Sequence, residues 1–125
     1  MNRVKVEMEY LFRASPTILY KFFTTPATLV RWFCDEVDIE KDVFTFVWEG
    51  SEEKAGLIDD FEDEKLVWEW EEGEANEFWE VKFDVSPVTG ETIMTITEFC
   101  DDIDEEDTRQ LWDSLVKRLR QETGG

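Results

Sequence analysis

Between Val4 and Phe12 the apolar side chains of Val4, Val6, Met8, Tyr10 and Phe12 alternate with Lys5, Glu7 and Glu9, broken only by Leu11. A period of two puts one set of side chains on a single face, so the stretch predicts a half-buried strand. Ser15-Pro16 then places an N-cap residue ahead of a first-turn proline, and Leu19, Phe22 and Phe23 supply the buried face of a short helix. Thr25-Pro26 repeats the device. It predicts a second short helix with Leu29, Val30, Trp32 and Phe33 as its apolar residues, ending near Cys34.

From Val37 the pattern returns to strands, VDIE, VFTFVWE, EKAGLIDDF, KLVWEWEE, FWEVKFDV and ETIMTITEF, divided by acidic, glycine or proline turns. Short links predict an antiparallel meander, with Pro87 and Gly90 turning the chain before its last strand. The final stretch is helical: Leu111, Trp112, Leu115, Val116 and Leu119 recur at helical spacing. Asp104 to Asp107 charge the start of that helix and Lys117, Arg118 and Arg120 its end, as the helix dipole favours. One apolar stripe needs one large partner, and the sheet is the partner upstream. The reading is a single α+β domain over residues 1–125, an antiparallel sheet wrapped around a long C-terminal helix, in the order strand, two helices, six strands, helix.

Composition narrows the chemistry. With 42% hydrophobic residues in 125, the chain can bury a core for one domain. Thirteen basic residues against 32 acidic give a net charge of −19, which repels phosphate backbones and anionic headgroups. Nucleic acid and membrane surfaces are therefore not expected partners, whereas a basic protein surface fits. Histidine is absent, and Cys34 and Cys100 form no CxxC pair, which removes the usual ligands of zinc sites and the usual base of catalytic ones. The run DDIDEED is no calcium loop either: counted from Asp102, Asp107 replaces the glycine and Asp113 the final glutamate. Helix initiation suits the run better, with Asp104 as a candidate N-cap. No metal or cofactor is expected. The alternating N-terminus is neither a signal peptide nor a membrane span, so a cytoplasmic protein with reduced thiols is the expectation.

Three segments, ASPTILYKFFTTPATLVRWFCDEV, EKAGLIDDFEDEKLVWEW and TIMTITEFCDD running on to LWDSLVKRLRQ, resemble the START-like or helix-grip superfamily (SRPBCC, Bet v-like). The resemblance lies near the branch of the activator of heat-shock-protein ATPase, among small bacterial START-like proteins of unassigned function. It implies a helix-grip fold with a cavity between sheet and last helix. It extends only to the helix-grip domain of those activators, so it implies no cochaperone activity. Enzymes and hormone receptors of the fold place ionisable or polar groups in the cavity; here the inferred inner faces are apolar and aromatic, which implies a role without catalysis. The family's glycine before the tryptophan of the last helix is Leu111 here, implying a deeper helix start and a narrower cavity mouth.

Two outcomes are open for the aromatic side chains on these elements. They line a cavity that takes a small apolar molecule, or they fill a core. The expected function is the first, non-catalytic binding of a small apolar molecule, with Tyr10, Trp68, Leu111, Trp112, Leu115 and Leu119 as lining residues and no catalytic residue assigned. The alternative is an acidic protein-interaction module with a filled core, and a third reading is a hydrolase or cyclase on the same fold. One prediction needs the charge alone. Because a surface at −19 repels itself, the melting temperature rises between low and moderate salt, and a flat or falling trend removes self-repulsion as a significant term.

Overall fold

The computed structural model describes residues 2–125. Its elements are β1 (Arg3–Phe12), α1 (Pro16–Thr24), α2 (Pro26–Trp32), β2 (Glu36–Glu40), β3 (Val43–Trp48), β4 (Ser51–Phe61), β5 (Lys65–Trp70), β6 (Trp79–Val85), β7 (Thr92–Asp101) and α3 (Glu105–Thr123), the last preceded by a 3₁₀ turn at Asp102–Asp104. The sheet is seven-stranded and antiparallel in the order β1-β7-β6-β5-β4-β3-β2. Strands β2 to β7 form the expected meander, and β1 closes onto β7 from Arg3↔Asp101 to Phe12↔Thr92. Glu49 and Gly50 both take positive φ, 49° and 81°, as a two-residue hairpin between β3 and β4 requires.

Ser15 caps α1 as expected, its Oγ accepting from the Ile18 N–H at 3.2 Å. Two other caps differ from the sequence reading. Thr25 serves both helices through its backbone, donating to the Lys21 carbonyl at 3.0 Å and accepting from the Leu29 N–H at 3.0 Å, while its hydroxyl caps nothing. Asp104 makes no side-chain cap because the 3₁₀ turn holds it at φ −100° and ψ 1°, away from the extended backbone of an N-cap. Glu105, Glu106 and Asp107 supply the first-turn negative charge instead.

Buried faces are narrower than the sequence predicted. In α2, Leu29 and Trp32 turn inward while Val30 is 43% exposed. In α3 the buried seam is Trp112, Val116 and Leu119, and Leu111 is 58% exposed. One residue's step around a helix is roughly 100°, enough to carry Val30 and Leu111 off a seam that their neighbours define.

The inner face of the sheet is an aromatic stack centred on Trp79. Trp68 lies directly across the β5–β6 pairing, its ring 4.1 Å from that of Trp79 and nearly parallel at 18°. Trp70 packs at 5.7 Å and 11°, and Phe33, at the end of α2, at 5.2 Å and 13°. Trp112 of α3 approaches to 5.9 Å, and Phe23 of α1 lies 4.9 Å from Trp32 behind the stack. Helix α3 packs on α2, β1 and β7. Arginines tie it to the outer edge of β1: Arg109 donates to the Glu7 carbonyl at 3.2 Å and Arg120 to the Leu11 carbonyl at 3.1 Å. Those bonds occupy acceptors that an incoming strand would use, and the opposite edge, β2, carries exposed Glu36, Asp38 and Glu40.

Truncating the hub tests this account. Trp79→Ala removes a ring at 1% exposure that lies against rings of β3, β5, α1, α3 and the end of α2, so unfolding in urea registers a loss of about 3–5 kcal/mol. A loss below about 1 kcal/mol, the level of an ordinary surface change, contradicts the central role given to this ring.

Candidate ligand cleft

An open cleft of about 840 Å³ lies between α3 and the β3–β7 part of the sheet. Its sheet wall is aromatic, with Trp48, Trp70 and Trp79 joined by Phe33 from the end of α2 and by Phe78 and Phe99. Alternation along the strands explains why so many rings meet here: Phe44 and Phe46 on β3, Trp68 and Trp70 on β5, and Trp79, Val81 and Phe83 on β6 share the concave side. From α3 come Leu111, Trp112, Leu115 and Arg118. Trp48 is fixed by its indole N–H, which donates to the Phe33 carbonyl at 2.6 Å.

Three expected lining residues, Leu111, Trp112 and Leu115, come together on this wall, and the other three do not. Trp68 is fully buried beneath Trp79, in the second layer of the stack, and Leu119 is fully buried farther along the α3 seam. Tyr10 stands on the opposite flank of α3, where its hydroxyl donates to Asp113 at 2.9 Å beside a shallow depression of about 290 Å³. Burial, followed by that hydrogen bond, pushes its phenol well above the usual range. Leu111 does not close the mouth, because its side chain turns outward at the rim.

Sequence reading missed the cleft's polar member. Thr92, Met94 and Ile96 are the buried, inward-facing residues of β7, and two residues on the same parity puts Glu98 inside. Its Oε2 accepts a short hydrogen bond from the Trp112 indole N–H, tying helix to sheet. Among the described residues no donor reaches Oε1. Burial raises the Glu98 pKa, the Trp112 bond opposes that rise, and the Glu53 carboxylate adds to it. Glu53 pairs across from Phe46 and shares its face. The period-two signal that located the apolar residues would have located both carboxylates had it been carried past the last apolar position.

The rim is acidic. Glu52, Glu71, Glu72 and Glu77 stand at the mouth with Arg3, Lys54 and Arg118. Arg3 is already committed, to Glu77 at 2.6 Å and Asp101 at 3.1 Å. Cys34 is a buried hydrophobe whose thiol burial pushes up to about 11, and no cluster of metal-ligating side chains occurs among the described residues. No helix among them is long and apolar enough to cross a membrane.

Residues 1–125 match the START-like superfamily domain. A Bacteroides fragilis protein solved by solution NMR is 31% identical over 97% of this chain and 91% of its own, with a TM-score of 0.69. The Aha1 dimer of Colwellia psychrerythraea is similar in fold, with a TM-score of 0.77 at 15% identity over 96% of each chain. A Mesorhizobium loti protein has a TM-score of 0.76 at 14% identity over 94% of this chain and 95% of its own. No curated protein matches the chain in sequence.

Glu98 gives a pH signature with a definite sign. A carboxyl raised in the folded state contributes stability that is present below the unfolded value, about 4.3, and is lost as pH rises through the folded value. Glu98→Gln keeps an acceptor for the Trp112 N–H and cannot ionise. Its melting temperature therefore exceeds that of the wild type at neutral pH, and the gap closes on acidification toward about pH 4. Parallel melting curves at all pH values contradict the assignment.

Proposed function

The chain belongs to the START-like superfamily, and on that premise we propose that it binds a small apolar molecule, without catalysis, in the cleft between α3 and the sheet. The supporting observation is the cleft itself: about 840 Å³ of space against a wall of indole and phenyl rings. That volume is within the range of small-molecule sites, about 300–1,000 Å³, and rigid rings offer apolar area with few torsions to freeze on binding. Association is driven by removing ring and ligand surface from water. Leu115, half-buried, lines the helix wall, and the half-buried rings of Trp48 and Trp70 line the sheet wall beside the buried Trp79.

Trp68, Phe44, Phe23 and Trp32 pack in the core with Trp79 and Trp112, which are themselves 1% and 3% exposed, and the half-buried indoles along the cleft are Trp48 and Trp70.

Titration with N-phenyl-1-naphthylamine, a neutral fluorophore, tests the reading. Wild-type protein gives saturable enhancement at one site, and Leu115→Trp weakens it by about tenfold or more, equivalent to about 1.4 kcal/mol, while the melting temperature is kept. Absence of saturable binding by the wild type, or a Leu115→Trp protein destabilised by about 1–3 kcal/mol as overpacking of a closed core would require, rejects it.

A further inference from the structure

Resting on the apolar-ligand reading, we propose that the ligand carries one positive charge on its apolar body, an amine or quaternary ammonium that seats against Glu98 in the cleft it shares with the half-buried rings of Trp48 and Trp70. The cleft's inner carboxylate has one oxygen committed to the Trp112 indole and one without a donor among the described residues. Glu98 lines the open cleft with that second oxygen free to accept, and burial of the carboxyl, which raises its pKa, makes an opposite charge placed there the partner it lacks. A cationic ligand completes the pair. The rings act in the same direction, since the face of an indole attracts ammonium ions and does so most strongly where water is excluded.

The charges around the mouth favour the same ligand class. Glu53 of β4 acts on Glu98 as a neighbouring carboxylate and Trp112 of α3 bonds it, while Arg118 of α3, Arg3 of β1 and Lys54 of β4 line the same cleft. Six carboxylates line the cleft against three cations, and one of those cations, Arg3, is spent on Glu77 and Asp101. A recess of this sign, in a chain at −19, concentrates cations and turns away fatty acids and other anions. A neutral apolar molecule fits the walls but leaves the Glu98 oxygen unanswered.

Three probes of one chain length separate these cases: octyltrimethylammonium, 1-octanol and octanoate, each below its micellar range, displacing N-phenyl-1-naphthylamine at fixed ionic strength and pH 7. Direct calorimetric titration of the same three reads the preference without the fluorophore. The ammonium binds about tenfold or more tightly than octanol, a difference of about 1.4 kcal/mol, and octanoate binds least. Glu98→Gln abolishes the preference and retains octanol binding. Glu40→Gln, the same charge change on the β2 edge outside the cleft, leaves the preference intact. Octanol equal to the ammonium, octanoate ahead of either, or Glu40→Gln as damaging as Glu98→Gln overturns the cationic assignment while the apolar reading stands. A wild-type protein that binds neither the fluorophore nor any of the three overturns both.

Discussion

Trp79 is held on three sides, by Trp68 on the neighbouring strand, by Phe33 at the end of α2 and by Trp112 of α3. Rings cannot be compressed, so this contact sets the distance between sheet and helices, and the remaining geometry follows from it. With indoles occupying the inner face along β5 and β6, the last helix lies toward β1 and β7 and against α2. The space left between it and the β3–β7 part of the sheet is the cleft. One stack thus serves as the keystone of the core and borders the cleft, and within it the buried indole nitrogens of Trp68 and Trp79 remain without partners.

Most of the architecture was legible because its signals are periodic. Val6, Met8 and Phe12 mark β1 by alternation, Ser15-Pro16 marks the start of α1, and the spacing of Trp112, Val116 and Leu119 marks the face of α3. Periodicity is less exact about where a face stops, so Val30 and Leu111 were counted inward although each stands one helical step outside its seam. The site was half legible. Leu111, Trp112 and Leu115 do meet at the cleft, but whether Trp68 lines a surface or underlies it depends on which ring is stacked above it, a long-range fact that no local pattern carries. Glu98 was missed for a simpler reason, since charged residues in strands are read by habit as solvent-facing and parity was the stronger signal.

The acidic composition acquires a location in the fold. Most carboxylates lie on outward faces and turns, where they carry the charge of the surface at little energetic cost. Glu53 and Glu98 instead share the concave side with the rings, and the Glu98–Trp112 bond makes a polar group part of the grip between helix and sheet. Polarity in the cleft is thus part of the structure itself.

The pairing of β1 with β7 also dictates when the fold can be finished. Strands β2 to β6 find their partners across local connections, but Arg3 waits for Asp101 and Phe12 for Thr92, and the Arg13 N–H reaches the Gly125 carbonyl at 3.0 Å only once the chain has been made through Gly125. At a synthesis rate of about 5–20 residues per second, the first strand spends roughly 5–20 s without its partner. During that interval Val6, Met8 and Phe12 have no sheet face to join, and the closing of a loop this long is the slow, entropically costly event of assembly. The meander therefore closes through connections much shorter in sequence than the β1–β7 pairing that completes the sheet.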